Sequence, residues 1–199
     1  MKMINGEKKF HIRAVYDDKT IRIYQAYNNR IADEAIKNGT FGSSFNRNRM
    51  TWIKPSFLWM MYRSGWATKE NQERILAIDI KREAFDFLVE NAVSSMFDVD
   101  KYESIDEWKK QVKESSIRVQ WDPERDVYGN PLDYRSIQLG IRGDIVNKYL
   151  DEWIEKITDI TEYVNELKLL LNDKKDISEL LPKECILQPQ SVTKCKAKM

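Results

Sequence analysis

Three cations, Arg49, Lys54 and Arg63, are embedded in the aromatic stretch "RMTWIKPSFLWMMYRSGWA", which runs from Arg49 to Ala67. Positive charge against apolar surface is costly unless something pairs with it. Acidic side chains of the protein or an anionic ligand would do so. Ser56 stands at the start of a helix expected from about Pro55, where free backbone N–H groups and the helix dipole favour a phosphate. Trp52 and Trp59 offer faces on which an aromatic ligand ring can stack. Basic residues, a helix N-terminus and stacking aromatics together describe a pocket for a mononucleotide or dinucleotide. A core helix is the competing reading, and Phe57, Leu58 and Met61 fit it well.

Three further stretches carry polar groups in strand-like surroundings. In "RIYQAYNN", Tyr24, Gln25 and Tyr27 end a β-rich run, and Gln25 points to the face opposite Tyr24. Such a strand end can present amide and phenol groups to a ligand, or merely pack aromatics across strands. In "VQWDPERD", Asp122 and Glu124 flank Pro123 just after a strand. They read as a solvated turn or as carboxylates available as base or electrostatic stabiliser, with Trp121 beside them able to raise a carboxyl pKa by desolvation. In "YRSIQLGIRG", Arg135, Ile137 and Leu139 face one way, and Ser136, Gln138 and Gly140 the other. A buried Gln138 would need partners for its amide.

Much chemistry is excluded. His11 is the one histidine, so paired-histidine acid/base catalysis is out. With only Cys185 and Cys195 besides, no Cys/His zinc site can be completed. No GxGxxG, GxxxxGK[ST], HExxH, GxSxG or EF-hand loop occurs. Lys+Arg 33 against Asp+Glu 32 gives a net charge of +1, hence no long-range bias toward nucleic acid or an anionic membrane. No apolar run is long enough to span a bilayer, and the N-terminus lacks the apolar region of a secretory signal. These features lead to the expectation of a cytoplasmic protein with reduced cysteines, a terminal disulfide being the alternative.

The elements that must position these residues alternate without a regular βαβ rhythm, so the class expected is α+β. "FHIRAVY" and "TIRIYQAY" around "DDK" read as a β-hairpin. "RIADEAIKNG" reads as a helix stopped by Gly39, and "SFLWMMYRSG" as a helix stopped by Gly65. "ERILAIDI" is an apolar strand, and "REAFDFLVENAV" and "SIDEWKKQVKES" are amphipathic helices, the second with a capping box from Ser104 to Glu107. "SIRVQWD" is a strand leading into the turn "PERDVYGNP". "DIVNKYLDEWIEKI" is read as a helix capped by Asp144, and "TEYVNELKLLLNDKK" as the last helix. Residues 1–181 form the expected single domain, and 182–199 a polar, basic, loosely held tail.

Long blocks of the chain, including "IRAVYDDKTIRIYQAYNNRIADEAIKNGTF", the Arg49 block and "YRSIQLGIRG", resemble the domain-of-unknown-function 4291 family over nearly all residues up to Leu181. A second resemblance is to the ADP-ribosyltransferase fold, which implies a split antiparallel sheet flanked by helices and an NAD site. In that likeness Gln25 stands where the superfamily has a first-strand His or Arg. Thr51 and Ser56 fall in the block whose hydroxyls bind NAD. Gln138 stands in place of the later acidic residue. Since Gln138 cannot act as a carboxylate, the role of stabilising charge on the ribose falls to Glu124 or Asp122, or is lost. The resemblance implies catalytic positions at Gln25, Ser56, Glu124 and Gln138. Arg49 and Lys54 would hold the pyrophosphate, helped by Arg63 and Arg135. Tyr27, Trp52 or Trp59 would stack on nicotinamide or adenine. The implied reaction passes ADP-ribose from NAD to a protein or nucleic-acid acceptor. The alternative is a non-catalytic RNA- or nucleotide-binding module that stacks bases between basic residues.

Overall fold

Alternating apolar runs fold as strands and those spaced by three and four as helices; a computed structural model describes residues 9–187. The first half holds β1 (Lys9–Phe10), β2 (Arg13–Ala14), β3 (Thr20–Tyr27), α1 (Asn29–Asn38), β4 (Thr51–Ile53), α2 (Phe57–Ser64), β5 (Arg74–Lys81) and α3 (Arg82–Glu90). The second holds β6 (Val93–Ser94), α4 (Ile105–Glu114), β7 (Ile117–Arg125), β8 (Pro131–Ile141), α5 (Asp144–Lys148), β9 (Ile154–Asp159), α6 (Thr161–Asn172) and β10 (Cys185–Ile186). The class is α+β, in one domain.

A mixed sheet runs β1-β8-β7-β6, with β4 also pairing β8. A second sheet has the order β3-β5-β9 and is antiparallel throughout. A backbone bridge links the two, where Tyr24 N donates to Lys54 O at 2.7 Å. One apolar cluster fills the space between the sheets, drawing on Ile21, Ile23 and Ile78 from one and Ile137, Leu139 and Ile141 from the other. A second lies under α2 and α6 and includes Tyr24, Phe57, Met61 and Leu167. Each such side chain, fully buried, contributes roughly 1.5–3 kcal/mol.

The helix punctuation is as the sequence implies. Asn28 Oδ1 accepts from Ile31 N at the start of α1, and Ser104 Oγ accepts from Glu107 N at the start of α4, both at 3.1 Å. Gly65 closes α2 in the left-handed region, at φ 61°, where a side chain would be strained.

Four expectations change. β3 meets the segment before it at the Tyr16–Ile21 bridge, while its full length pairs with β5 and β2 pairs with β10. The helix expected through Ile157 ends in one wide turn at Tyr149–Trp153, and Ile154–Asp159 becomes the edge strand β9; its β-branched residues pair with β5, a tertiary choice that overrides helical spacing. Gly143, not Asp144, caps α5, with no side-chain bond. Asp122-Pro123-Glu124 does not turn the chain. β7 runs through it with a register shift between Pro123 and Arg125, and the turn follows at Asp126–Asn130. Pro123 is tolerated because β6 pairs β7 only at Arg118 and Val119 and leaves that side free.

Of the expected loose tail 182–199, only 182–187 lies among the described residues, and that part is docked. Leu187 N donates to Ile12 O at 2.7 Å and Tyr16 Oη to Ile186 O at 2.9 Å. Cys185 is disulfide-bonded rather than reduced; Cys195 lies outside the described residues.

Candidate functional site

Gln25 fixes the seam between the sheets. Its side chain is 3% exposed and its amide is fully engaged. Nε2 donates to Thr51 Oγ1 at 3.2 Å and to Trp52 O at 3.0 Å, and Oε1 accepts from Tyr149 Oη at 2.9 Å. The Tyr27 hydroxyl lies 3.5 Å from the same Thr51 oxygen, and its ring packs against Phe41 and Phe45. Burial pushes the Tyr27 phenol well above its ordinary pKa. Gln25, Tyr27 and Thr51 therefore hold β3 against β4.

Beyond this seam opens a cleft of about 890 Å³, bordered by the end of β3, the loop before β4, α2, and the facing strands β7 and β8. Its floor is a chain of polar side chains. Asp122 accepts from Gln120 Nε2 at 2.9 Å and from Gln138 Nε2 at 2.6 Å. Gln138 Oε1 in turn accepts from Lys54 Nζ. Gln120 faces Gln138 across the β7–β8 ladder, and Asp122 faces Ser136, so the period of two places the row on one side of the sheet.

Lys54 is 5% exposed, and its Nζ sits 3.7 Å from the centre of the Trp59 ring. Burial lowers its pKa to about 7; the charge of Asp122 opposes that shift and the charge of Arg63 adds to it. Trp52 lies across Gly140, where an added Cβ would come within 2.9 Å of Met50 Sδ and 3.0 Å of the Trp52 ring. A glycine is required there for the tryptophan to border the cleft.

Arg49 and Arg63 also border the cleft, but both are exposed, so desolvation does not oblige them to find partners. No ion pair engages either one among the described residues. Arg63 and Trp59 share a face of α2 one turn apart. Tyr62 packs edge-to-face against Trp59, ring centres 6.3 Å apart, and meets the Arg125 guanidinium at 4.0 Å outside the cleft lining. The loop before Arg49 is tied down by Glu34, which accepts from Ser44 N and Ser44 Oγ, both at 2.8 Å.

Three expected site residues are elsewhere. Ser56 caps its own helix, its Oγ accepting from Trp59 N at 3.1 Å, and is buried away from the cleft. Glu124 is buried under the same helix end, where burial raises its pKa while Arg125 N, Ser56 and Ser136 bond to it and lower it. Arg135 lies on the far face of β8 and donates to Trp121 O at 3.2 Å. The helix N-terminus read as a phosphate site is already occupied by a carboxyl group of the chain, since Phe57 N donates to Glu184 Oε1 at 2.6 Å. Burial raises the Glu184 pKa to about 8; the Phe57 bond lowers it and the Glu124 charge raises it further.

A family model described as a domain of unknown function, DUF4291, matches residues 11–187. The chain belongs to the DUF4291 family. No curated protein matches it. The segment shared with other DUF4291 proteins contains every cleft residue named above, and also β10 and Glu184.

The sequence reading brought Gln25, Tyr27, Thr51, Trp52, Lys54, Trp59, Gln138, Arg49 and Arg63 to this DUF4291 cleft. It missed Gln120, although the alternation that fixes Asp122 also fixes a residue two positions earlier. It also missed Tyr149 and Glu184, which reach their partners from 124 and 127 residues away, with no local signal.

Proposed function

We propose that the cleft binds a nucleotide, that NAD is the substrate fitting it best, and that the protein transfers ADP-ribose from NAD to a protein or nucleic-acid acceptor. The observation that carries this reading is the convergence of Arg49, Lys54 and Arg63 with the Trp52 and Trp59 rings around one cleft. Exposed arginines without acidic partners among the described residues suit a pyrophosphate. The tryptophans suit nicotinamide or adenine. Two sheets meeting at an open seam are compatible with an ADP-ribosyltransferase-like split sheet.

In this reading the carboxylate stabilising positive charge on the ribose is Asp122 rather than Glu124, because Asp122 borders the cleft and Glu124 does not. Gln138 orients Asp122 through its 2.6 Å bond. Gln25 and Ser56 are positioning residues.

Thermal-shift titration with NAD, ADP-ribose and short RNA, followed by an assay of nicotinamide release, tests the proposal. NAD and ADP-ribose should raise the melting temperature, and Asp122→Asn should abolish release while NAD still binds. If RNA shifts the protein and millimolar NAD and ADP-ribose do not, the cleft is a nucleic-acid module and the transferase reading fails.

A further inference from the structure

We infer that Lys54 is a nucleophile that takes a nucleotidyl group covalently from an adenosine 5′-phosphoanhydride bound in the cleft. This rests on the nucleotide-binding part of the function proposed above and adds attack at phosphorus to the glycosidic cleavage proposed there.

Three features separate Lys54 from the cations beside it. Arg49 and Arg63 are exposed and permanently charged, and suffice to hold phosphate oxygens. Lys54 is buried at the back of the same cleft, under Trp59 and beside Arg63. An amine in that setting loses its proton near neutral pH and becomes a poor anion binder but a good nucleophile. The third feature is orientation. Gln138 Oε1 takes one N–H of the amine, and Gln138 is itself held by Asp122, which is held by Gln120. A fixed amide oxygen on one hydrogen leaves the nitrogen lone pair to be aimed elsewhere, into a space bordered by phosphate-binding groups. The electrophile such groups deliver is phosphorus.

The step balances without a redox partner. Lys54 Nζ attacks the phosphorus nearest the adenosine, and a P–N bond forms as the anhydride P–O bond breaks. The electron pair leaves with pyrophosphate from ATP, or with nicotinamide mononucleotide from NAD, and the proton lost from nitrogen passes to water. A lysyl phosphoramidate carrying adenosine monophosphate results. Nothing is taken from the ribose C1′ bond, which distinguishes this from ADP-ribose transfer.

The test incubates the full chain with ATP or with NAD, each with magnesium in the buffer, and reads intact mass, the modified peptide and the small product. Nucleotide binding is measured in parallel by calorimetry. The expected result is an adenosine monophosphate adduct on Lys54, lost in acid and stable in base, forming faster as pH rises through about 7 and then levelling. The co-product from whichever donor is used should be pyrophosphate or nicotinamide mononucleotide. Lys54→Met and Lys54→Arg should reduce the adduct to background even at nucleotide concentrations that calorimetry shows to saturate each variant. Should both variants misfold, the pH profile and peptide assignment of the unsubstituted chain decide alone. Binding without an adduct overturns the nucleophile and leaves the nucleotide site standing. Nicotinamide release or an ADP-ribose adduct with no adenosine monophosphate on Lys54 overturns it and leaves glycosidic cleavage standing. Absence of binding by either donor overturns both readings.

Discussion

Two polar clusters lie along the same face of the β7–β8 ladder and are finished in opposite ways. At one end Gln120, Asp122 and Gln138 lead to Lys54 and an open cleft. At the other, Glu124 and Ser136 are roofed by the N-terminus of α2, where Ser56 caps the helix and Phe57 N is bonded to Glu184. The closed cluster contains the anion-binding feature that sequence reading would select first, a helix N-terminus, but it is taken by one of the chain's own carboxyl groups. The open cluster has bonded polar groups in its floor and, at its edge, arginines without ion-pair partners among the described residues. Burial with complete bonding marks structure, whereas unpaired charge beside a bonded floor marks a place for a ligand.

Gln25 gives the largest effect. Gln25→Ala leaves the Tyr149 hydroxyl and the Trp52 carbonyl without partners in a buried seam, and should destabilise the chain by about 3 kcal/mol. Urea unfolding should show a lower midpoint with an unchanged slope. If stability holds and only nucleotide binding is lost, Gln25 belongs to the site rather than to the seam.

Next come the arginines. Charge-assisted bonds to phosphate contribute roughly 1.5 kcal/mol or more each, so Arg49→Ala and Arg63→Ala should each weaken nucleotide binding by about tenfold. Unfolding stability should change by less than about 0.5 kcal/mol, since both side chains are exposed. A stability loss with unaltered binding would erase the distinction between the clusters.

The pH dependence of stability should carry opposite signs from the two ends. Lys54 titrates near 7 when folded and at its ordinary 10.5 when unfolded, so the unfolded chain holds the extra proton between them. Its contribution raises stability as pH rises through that window and is lost as pH falls through 7. Glu184 titrates near 8 when folded, against an ordinary 4.5, so the folded chain holds the extra proton. Its contribution lowers stability as pH rises from 4.5 to 8. One proton gives a slope of at most about 1.4 kcal/mol per pH unit. Glu184→Gln should flatten the acid-side fall and Lys54→Met the alkaline rise, read from chemical unfolding at stepped pH. The reverse pairing would contradict the assignment.

Ser56 gives the smallest effect. Ser56→Ala removes a helix cap worth about 1 kcal/mol. Calorimetry should find nucleotide affinity unchanged, which a phosphate-contacting Ser56 would not allow.

Local rules made much of this legible. The Ser104 cap and the glycines that stop α1 and α2 follow from residues a few positions apart. Period two correctly set Gln138 and Gly140 against Ile137 and Leu139. The errors have one cause. Asp122 and Glu124 share a face, and only the placement of α2 decides that one is open and the other closed. Ile154–Asp159 carries helical spacing, but β5 offers it an edge to pair with. Glu184 lies in a segment whose composition reads as tail, and its role depends on a helix more than a hundred residues earlier. Arg49 and Arg63 border the cleft, but the burial argument that singled them out holds only for Lys54, since Lys54 alone of the three is buried.

The contrast between open and closed clusters is tested most directly by following the tryptophan indole N–H signals by nuclear magnetic resonance while NAD or ATP is added. The account predicts that Trp52 and Trp59 move together and saturate, while Trp121, whose ring packs against Phe10 at 5.3 Å, stays in place. Saturable shifts at Trp121 and the Phe57 amide, with Trp52 and Trp59 unmoved, would show that the cluster under α2 binds the ligand and would contradict the account.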